Sequence, residues 1–409
     1  MEYEAVIGLE VHVQLNTNTK IFCSCPVTFG APPNTNTCPI CQGHPGVLPV
    51  FNKKVLEKAI QAGIAIECNI AGYTKFDRKN YFYPDLPKAY QISQYDKPIC
   101  EKGRIEIIFE NGDKKEIGVT RIHMEEDAGK LVHSEVTGVN ESYVDLNRCG
   151  VPLLEIVSEP DMRSAEEAGL YLTALKQILE YINVSDCDME KGSMRCDANI
   201  SIRPKGQKEL GIKTEIKNMN SISNVKKAII HEIRRQTKLV EKGEAIVQET
   251  RLWNADKNAT FTMRSKEDAH DYRYFPDPDL VPFEVSEATV KKFADSLPEL
   301  PRQRKMRYIK DFDLPEYDAE VLTSEISLAD YYEKAVSSYP KNPKKISNWI
   351  MSEMMKFLNE LNIKAKDFIV KPEQIGELFK MQDENVISGK IAKTVFEEMV
   401  KTGEQARVI

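Results

Sequence analysis

The chain has 409 residues, of which 41% are hydrophobic and 29% charged, with 20 Gly and 21 Pro. That composition excludes collagen-like, low-complexity and wholly disordered chains, and the length predicts about two to three domains. Its 56 basic and 63 acidic residues leave a net charge of −7, so the whole chain is no electrostatic nucleic-acid binder and any RNA contact must be local.

The start of the chain lacks a basic stretch, and no apolar run approaches the roughly 18 residues of a membrane span. A cytoplasmic protein with no membrane partner is expected. The first predicted element is a strand, Val6 to Leu15, whose alternation puts Leu9, Val11, Val13 and Leu15 on one face and Gly8, Glu10, His12 and Gln14 on the other. Next come Cys23-x-Cys25 and, twelve residues later, Cys38-x-x-Cys41. Two tight cysteine pairs suit one closed tetrahedral site, so structural zinc is expected rather than four unrelated thiols. The other cysteines, Cys68, Cys100, Cys149, Cys187 and Cys196, read as small buried residues.

A helix is predicted over 53–66. The stretch from Lys79 to Gln91, with Tyr81, Lys88 and Tyr90, has no usable period and reads as a loop. It either presents rings and ammoniums to unstacked RNA bases or packs as a rigid aromatic loop. The alternating pattern returns in Val119 to Glu126, with Arg121, His123 and Glu125 on one face and Glu126 at the strand end. Asp145 to Ile156 sets Arg148 and Glu155 around a turn. A helix over 164–183 opens with a Ser164/Glu167 capping-box pattern, and Arg195 to Arg203 projects Arg195, Asp197, Asn199, Ser201 and Arg203 together. Lys213, Glu215 and Lys217 repeat the pattern, and a helix over 221–242 ends at Gly243.

Taken singly, each polar face fits the solvated side of an antiparallel sheet. Four of them rich in short acids, imidazole, amide and arginine suit a divalent metal with phosphate. No phosphate-binding loop exists: Gly206 and Gly211 have the right gap, but Ile212 and Lys213 follow where Lys and Ser/Thr would stand. Any bound nucleotide must therefore be held by metal and side chains on an open sheet. The stretch Tyr272 to Asp279 reads as turns without a regular element. From about residue 290 onward the chain reads as helical, including 344–361, with a Met351, Met354, Met355, Leu358 core stripe, and 385–401. The basic run Arg302 to Lys310 reads as a solvated helix or loop surface.

The blocks Ile7-Gly8-Leu9-Glu10-Val11-His12-Val13-Gln14-Leu15, His123-Met124-Glu125-Glu126-Asp127-Ala128-Gly129-Lys130 and Asp271-Tyr272-Arg273-Tyr274-Phe275-Pro276-Asp277-Pro278-Asp279-Leu280, with the cysteine pairs, closely resemble the B subunits of aspartyl/glutamyl-tRNA(Asn/Gln) amidotransferases. The likeness covers essentially the whole chain. It implies an α+β protein: a cradle domain, 1–290, with a mostly antiparallel sheet similar to glutamine synthetase, then an all-α helical domain, 291–409. The implied enzyme is a carbon–nitrogen ligase with glutamine as amido-N donor. ATP phosphorylates the side-chain carboxylate of Glu-tRNA(Gln) or Asp-tRNA(Asn), and ammonia from a partner amidase displaces the phosphate. The implied assembly is a heterotrimer in which the amidase is the A subunit and a small C subunit is the third member.

By the same resemblance, Glu10, His12 and Glu125 are the expected magnesium ligands and, with Glu126, the catalytic set. Glu155, Asp197 and Asn199 are expected around the ions and nucleotide, with Arg148, Arg195, Arg203 and Lys213 facing phosphate. Lys79, Tyr81, Lys88 and Tyr90 are expected at the substrate end or tunnel mouth. Family members usually continue into a tail domain that touches the tRNA body, whereas this sequence stops at Val408-Ile409, so that tail is expected to be missing from it. Two other readings compete. A noncatalytic zinc-stabilised tRNA-binding scaffold for an amidase has no use for clustered acids, and a free-standing ligase acting on free glutamate predicts turnover without tRNA.

Overall fold

The structure is a computed structural model of the chain and describes residues 2–133, 141–265 and 271–409. It contains two compact units, Met1–Leu297 and Pro298–Ile409.

Strand β1 (Tyr3–Gln14) opens the first unit. Its alternation buries Ala5, Ile7, Leu9, Val11 and Val13 and leaves Glu10, His12 and Gln14 half-buried on the other side. Helix α1 (Lys53–Ala65) follows, N-capped by the Asn52 side chain. Then come β2 (Asn69–Ile70), β3 (Tyr73–Thr74), β4 (Asp77–Asn80), β5 (Tyr90–Ser93), β6 (Cys100–Ile108), β7 (Lys114–Glu126), β8 (Lys130–His133), β9 (Ser142–Asp145) and β10 (Pro152–Ser158). Helix α2 (Ala165–Tyr181), β11 (Met194–Pro204), β12 (Thr214–Met219), α3 (Ile222–Glu241), β13 (Glu249–Asn254), β14 (Ala259–Ser265), β15 (Phe275–Pro276), β16 (Phe283–Glu284) and α4 (Glu287–Ser296) complete the unit.

Among the described residues, nine strands form one sheet in the order β14-β13-β12-β11-β1-β10-β7-β6-β2. Every pairing in it is antiparallel except that of β12 with β13. Val11 lies in one cross-strand row with Cys196, Ile156 and Ile122, all buried, which makes a continuous apolar sheet face. Helix α2 packs against β6 and α3 against β11, and the two helices pack on each other. Leu172, Leu175 and Leu179 of α2 are fully buried. The polar face then follows from register alone, since every second residue of these strands must point away from that core.

Several local expectations need correction. The Lys79–Gln91 stretch begins and ends in strands, because β4 and β5 pair antiparallel through Asp77–Ser93 and Asn80–Tyr90. Four residues per strand with polar groups on both sides leave no period to read. Residues Phe275 and Pro276 add a short strand to that sheet, opposite Arg78 and Asp77, held there by Arg78, which donates to Asp277 and Asp279 at 2.8 Å each. Ser164 caps α2 by accepting from the Glu167 amide, but the Glu167 carboxylate turns back to the Arg163 amide and to Lys115 rather than closing the box.

The second unit is helical: α5 (Pro301–Phe312), α6 (Glu316–Thr323), α7 (Ile326–Ser338), α8 (Pro343–Trp349), a π-turn over Ile350–Met354, α9 (Met355–Leu361), α10 (Pro372–Asp383) and α11 (Gly389–Thr402). The predicted helix over 344–361 is thus interrupted by a π-turn, where the 3.6-residue period slips while Met354 stays buried. The last helix starts later than residue 385, at the Ser388 cap. The basic run lies on helix α5, one of the two forms expected for it, but Arg304 and Lys305 are not solvated, being only 7% exposed. Arg304 donates to Asp330 and Glu333, and Lys305 to Glu316 and Glu320, so their charges are matched inside the unit.

Glu333 anchors this network, accepting from Arg304, Arg307 and the Tyr308 hydroxyl. Burial alone would raise its pKa; those hydrogen bonds outweigh burial and hold it below the ordinary glutamate value of 4.5. A depressed carboxyl contributes stability above the ordinary value, and that contribution is lost as pH falls through the folded one. Glu333→Gln should cost about 1–2 kcal/mol at neutral pH, its side chain being partly exposed, and should flatten the acid limb of stability. Urea titrations across acid pH read both; an unchanged acid limb would show that Glu333 does not carry it.

Candidate metal and substrate site

Strand register builds the site. Across β11, β1, β10 and β7, the facing residues are Arg195, His12, Glu155 and His123, in that order. Glu125, two residues beyond His123, shares its face. The His12 Nε2 atom lies 3.3 Å from Glu155 Oε2 and 3.5 Å from Glu125 Oε1, and His123 Nε2 lies 3.1 Å from Glu155 Oε2. Ser93 Oγ donates to Glu125 Oε2 at 3.2 Å.

Glu125 and Glu155 are both buried. Burial would push both carboxyls up, yet they are held below the glutamate range. For Glu125 the main cause is its hydrogen bond with His123; for Glu155 it is the charge of His123 and the hydrogen bond from His12. The imidazoles respond in kind: burial opposes their charge, but the same carboxylates raise His12 and bring His123 to about 9. Lys79 lies 5.0 Å from the Tyr272 ring centroid, and Glu125 and Glu155 raise it against burial. Such a cluster calls for positive charge. One donor atom each from His12, Glu125 and Glu155 lies within 4.8 Å of the others. This hard oxygen-and-imidazole set fits a divalent cation, and the His123 Nδ1 atom is buried with no hydrogen-bond partner among the described residues.

Around this centre, the other expected residues have partners of their own. Glu10 stands one row away, accepting from Asn199 Nδ2 at 2.8 Å, beside an open pocket of ≈ 270 Å³ that Gly8, Ser158, Asn199, Ser201 and Lys213 also line. Asp197 is ion-paired with Lys217, which also bridges to Glu215 at 2.9 Å. Arg195 donates to Asp127 at 2.8 Å. Arg148 donates to the Ala128 carbonyl at 3.0 Å and lies 3.5 Å from Asp127. Arg203 is engaged at the sheet's rim by Glu4, at 2.6 Å, and by the Lys208 carbonyl. Glu126, on the opposite side of β7 from Glu125, binds Lys88 and accepts from the Ile92 amide at 2.8 Å. Tyr81 donates to Gln91 at 3.0 Å, while the Tyr90 ring lies under Arg78, 4.2 Å away.

Three residues were not among the candidates. His123 had a signal, the two-residue beat it shares with Glu125. Asp127 receives Arg195, Arg148 and Gln14, and Lys217 holds Asp197; neither role shows in sequence, because both depend on which strands are neighbours.

The four cysteines form a second centre. One sulfur each from Cys23, Cys25, Cys38 and Cys41 lies within 4.8 Å of the others, a soft, closed set compatible with structural zinc. The Cys41 thiol is lowered by its hydrogen bond with Cys23, the Cys38 amide and the Lys20 ammonium, against burial. Of the remaining cysteines, Cys100, Cys149, Cys187 and Cys196 are buried and Cys68 is partly so.

Known proteins resemble the chain along its whole length. The family profile of the GatB/GatE catalytic domain matches residues 5–291, and that of the GatB domain matches residues 330–409. The B subunit of the aspartyl/glutamyl-tRNA(Asn/Gln) amidotransferase of Brachyspira hyodysenteriae is 59% identical over 413 residues, covering 100% of this chain and 85% of its own length. The B subunits of the same name from Carboxydothermus hydrogenoformans and Persephonella marina are 56% and 57% identical over 409 residues, again covering 100% of this chain and 85% of their own lengths. Among the described residues, no helix is long and apolar enough to cross a membrane. With identity at this level along its whole length, the chain belongs to the family of aspartyl/glutamyl-tRNA(Asn/Gln) amidotransferase B subunits.

Proposed function

We propose that the chain activates the side-chain carboxylate of Glu-tRNA(Gln) or Asp-tRNA(Asn) with ATP and completes its amidation. It would act in the cytoplasm, within a heterotrimer whose A subunit, an amidase, supplies ammonia and whose third member is the small C subunit. The observation that carries this reading is the cluster of His12, Glu125, Glu155 and His123 on the polar face of an antiparallel sheet. The resemblance to glutamine synthetase belongs to the same reading, as does the assignment of catalysis to residues 1–290.

In the reaction, a side-chain carboxylate oxygen attacks the γ-phosphorus of ATP and ADP departs. Ammonia then attacks the acyl carbon of the resulting acyl phosphate, and inorganic phosphate leaves with the bonding pair. His12, Glu125 and Glu155 would hold magnesium, with Glu10 next to them; the ion supplies neutralisation of phosphate charge. Arg195, oriented by Asp127, adds a fixed positive group beside His12, and Lys79 adds a half-buried ammonium whose charge acts on the same carboxylates. Both are placed to meet anionic oxygens, the main demand of phosphoryl transfer. The pocket beside Glu10, Asn199 and Lys213 is the assigned nucleotide space. Zinc in the four-cysteine centre is structural, since four thiolates leave no open position.

The test is ADP release from Mg-ATP by the chain with its amidase partner, given Glu-tRNA(Gln), Gln-tRNA(Gln) or free glutamate. Stimulation by the misacylated tRNA alone is expected, and Glu125→Gln or Glu155→Gln should reduce it at least about 100-fold with the fold retained by circular dichroism. Wild-type rates in both variants would remove the cluster from the chemistry; binding of tRNA without stimulated release would favour the scaffold. Metal analysis of the freshly reduced protein should find one zinc per chain, and Cys38→Ser should lose it; zinc-free wild type would refute the assignment.

A further inference from the structure

Lys20 lies between β1 and the first cysteine pair and has no exposed surface. Its Nζ atom donates to the Asn36 carbonyl at 2.8 Å, the Leu146 carbonyl at 3.3 Å and Cys41 Sγ at 3.5 Å, none of them a carboxylate. A buried ammonium requires a counter-charge. The cysteine centre supplies one, since a divalent ion with four thiolates carries a net charge of about −2.

The same lysine reaches the turn between β9 and β10, where other bonds also tie the cysteine segment down. The Asn36 amide donates to Asn147 Oδ1 at 2.8 Å, Asn147 Nδ2 to the Pro32 carbonyl at 2.7 Å, and Cys149 Sγ to the Cys41 carbonyl at 3.2 Å. That turn carries Arg148. Gly150, at φ +83°, sits where a side chain would strain the backbone, and its amide donates to the Asp127 carbonyl at 2.9 Å. Asp127 in turn holds Arg195 beside His12.

We propose that Lys20 is a positioning residue whose ammonium neutralises the metal-loaded cysteine centre and, through the Leu146 carbonyl, holds the turn that keeps Arg148 and Asp127 against the polar face. The inference rests on the zinc reading of the four cysteines. It makes the lysine, rather than the metal alone, the link between the two centres.

The test compares the full-length wild type with Lys20→Met, which keeps the length of the side chain and removes its charge. Three readouts apply: competition for zinc by a chelator, the thiolate-to-metal absorption of the cobalt(II)-loaded protein, and hydrogen exchange at the amides of Cys149, Gly150 and Val151. Lys20→Met is expected to yield its zinc about tenfold more readily, to shift the cobalt absorption, and to exchange those amides about tenfold faster. Zinc affinity, absorption and exchange all equal to the wild type would overturn the role of Lys20. Should the variant not fold, chelator-stripped wild type serves: faster exchange confined to the turn supports the link, and unchanged exchange refutes it. A wild type that takes up neither ion contradicts the zinc reading itself, an outcome distinct from equal uptake by both proteins.

Discussion

Two carboxylates, Glu125 and Glu155, are buried on adjacent strands of a sheet, and two like charges in that setting repel strongly unless positive groups stand against them. His12 and His123 stand against them, each lying between 3.1 and 3.8 Å from the carboxylate oxygens it faces. Much of the first unit serves to keep these four groups together. The apolar face of the sheet is fixed by helices α2 and α3, which leaves the opposite residues no freedom of register. A slip by one residue in β1 or β7 would send His12 or Glu125 into the core.

Around this centre positive groups are graded by what fixes them. Arg195 is held by Asp127, Lys79 stands over tyrosine rings, and Arg148 is held by backbone carbonyls. Arg203, by contrast, spends its charge on Glu4 at the rim. The positive charge of the polar face is thus directed toward the cluster in its interior and neutralised by a half-buried ion pair at its border. The cysteine centre is hydrogen-bonded to the same turn that carries Arg148, so a structural metal bound there would have a physical route to the polar face.

Period-two alternation made the polar faces of β1, β7 and β11 legible, because a half-buried antiparallel strand has no other way to be written. Helix α2 was legible from its apolar stripe and the Ser164 cap, and α3 from Gly243 at its end, whereas the Asn52 cap of α1 was not singled out. Pairing was not. Glu155 meets His12 because β10 lies between β1 and β7, a matter of topology that no local pattern records, so it ranked behind Glu10. His123 was visible on its face but lacked a reason to be singled out. Arg304 and Lys305 read as solvated because charge predicts exposure until partners such as Glu333 and Glu320 are known. The short strands β4, β5 and β15 carry too few residues for any period to register.

Oxygen transfer tests the acyl-phosphate chemistry most directly. Misacylated Glu-tRNA(Gln) carrying oxygen-18 in its side-chain carboxylate would be turned over with ATP and ammonia by the protein and its partner, and the released inorganic phosphate analysed by mass. Attack of the carboxylate on phosphorus puts a labelled oxygen in that phosphate. Phosphate free of label, with labelled oxygen released as water, would contradict activation by phosphorylation at this face.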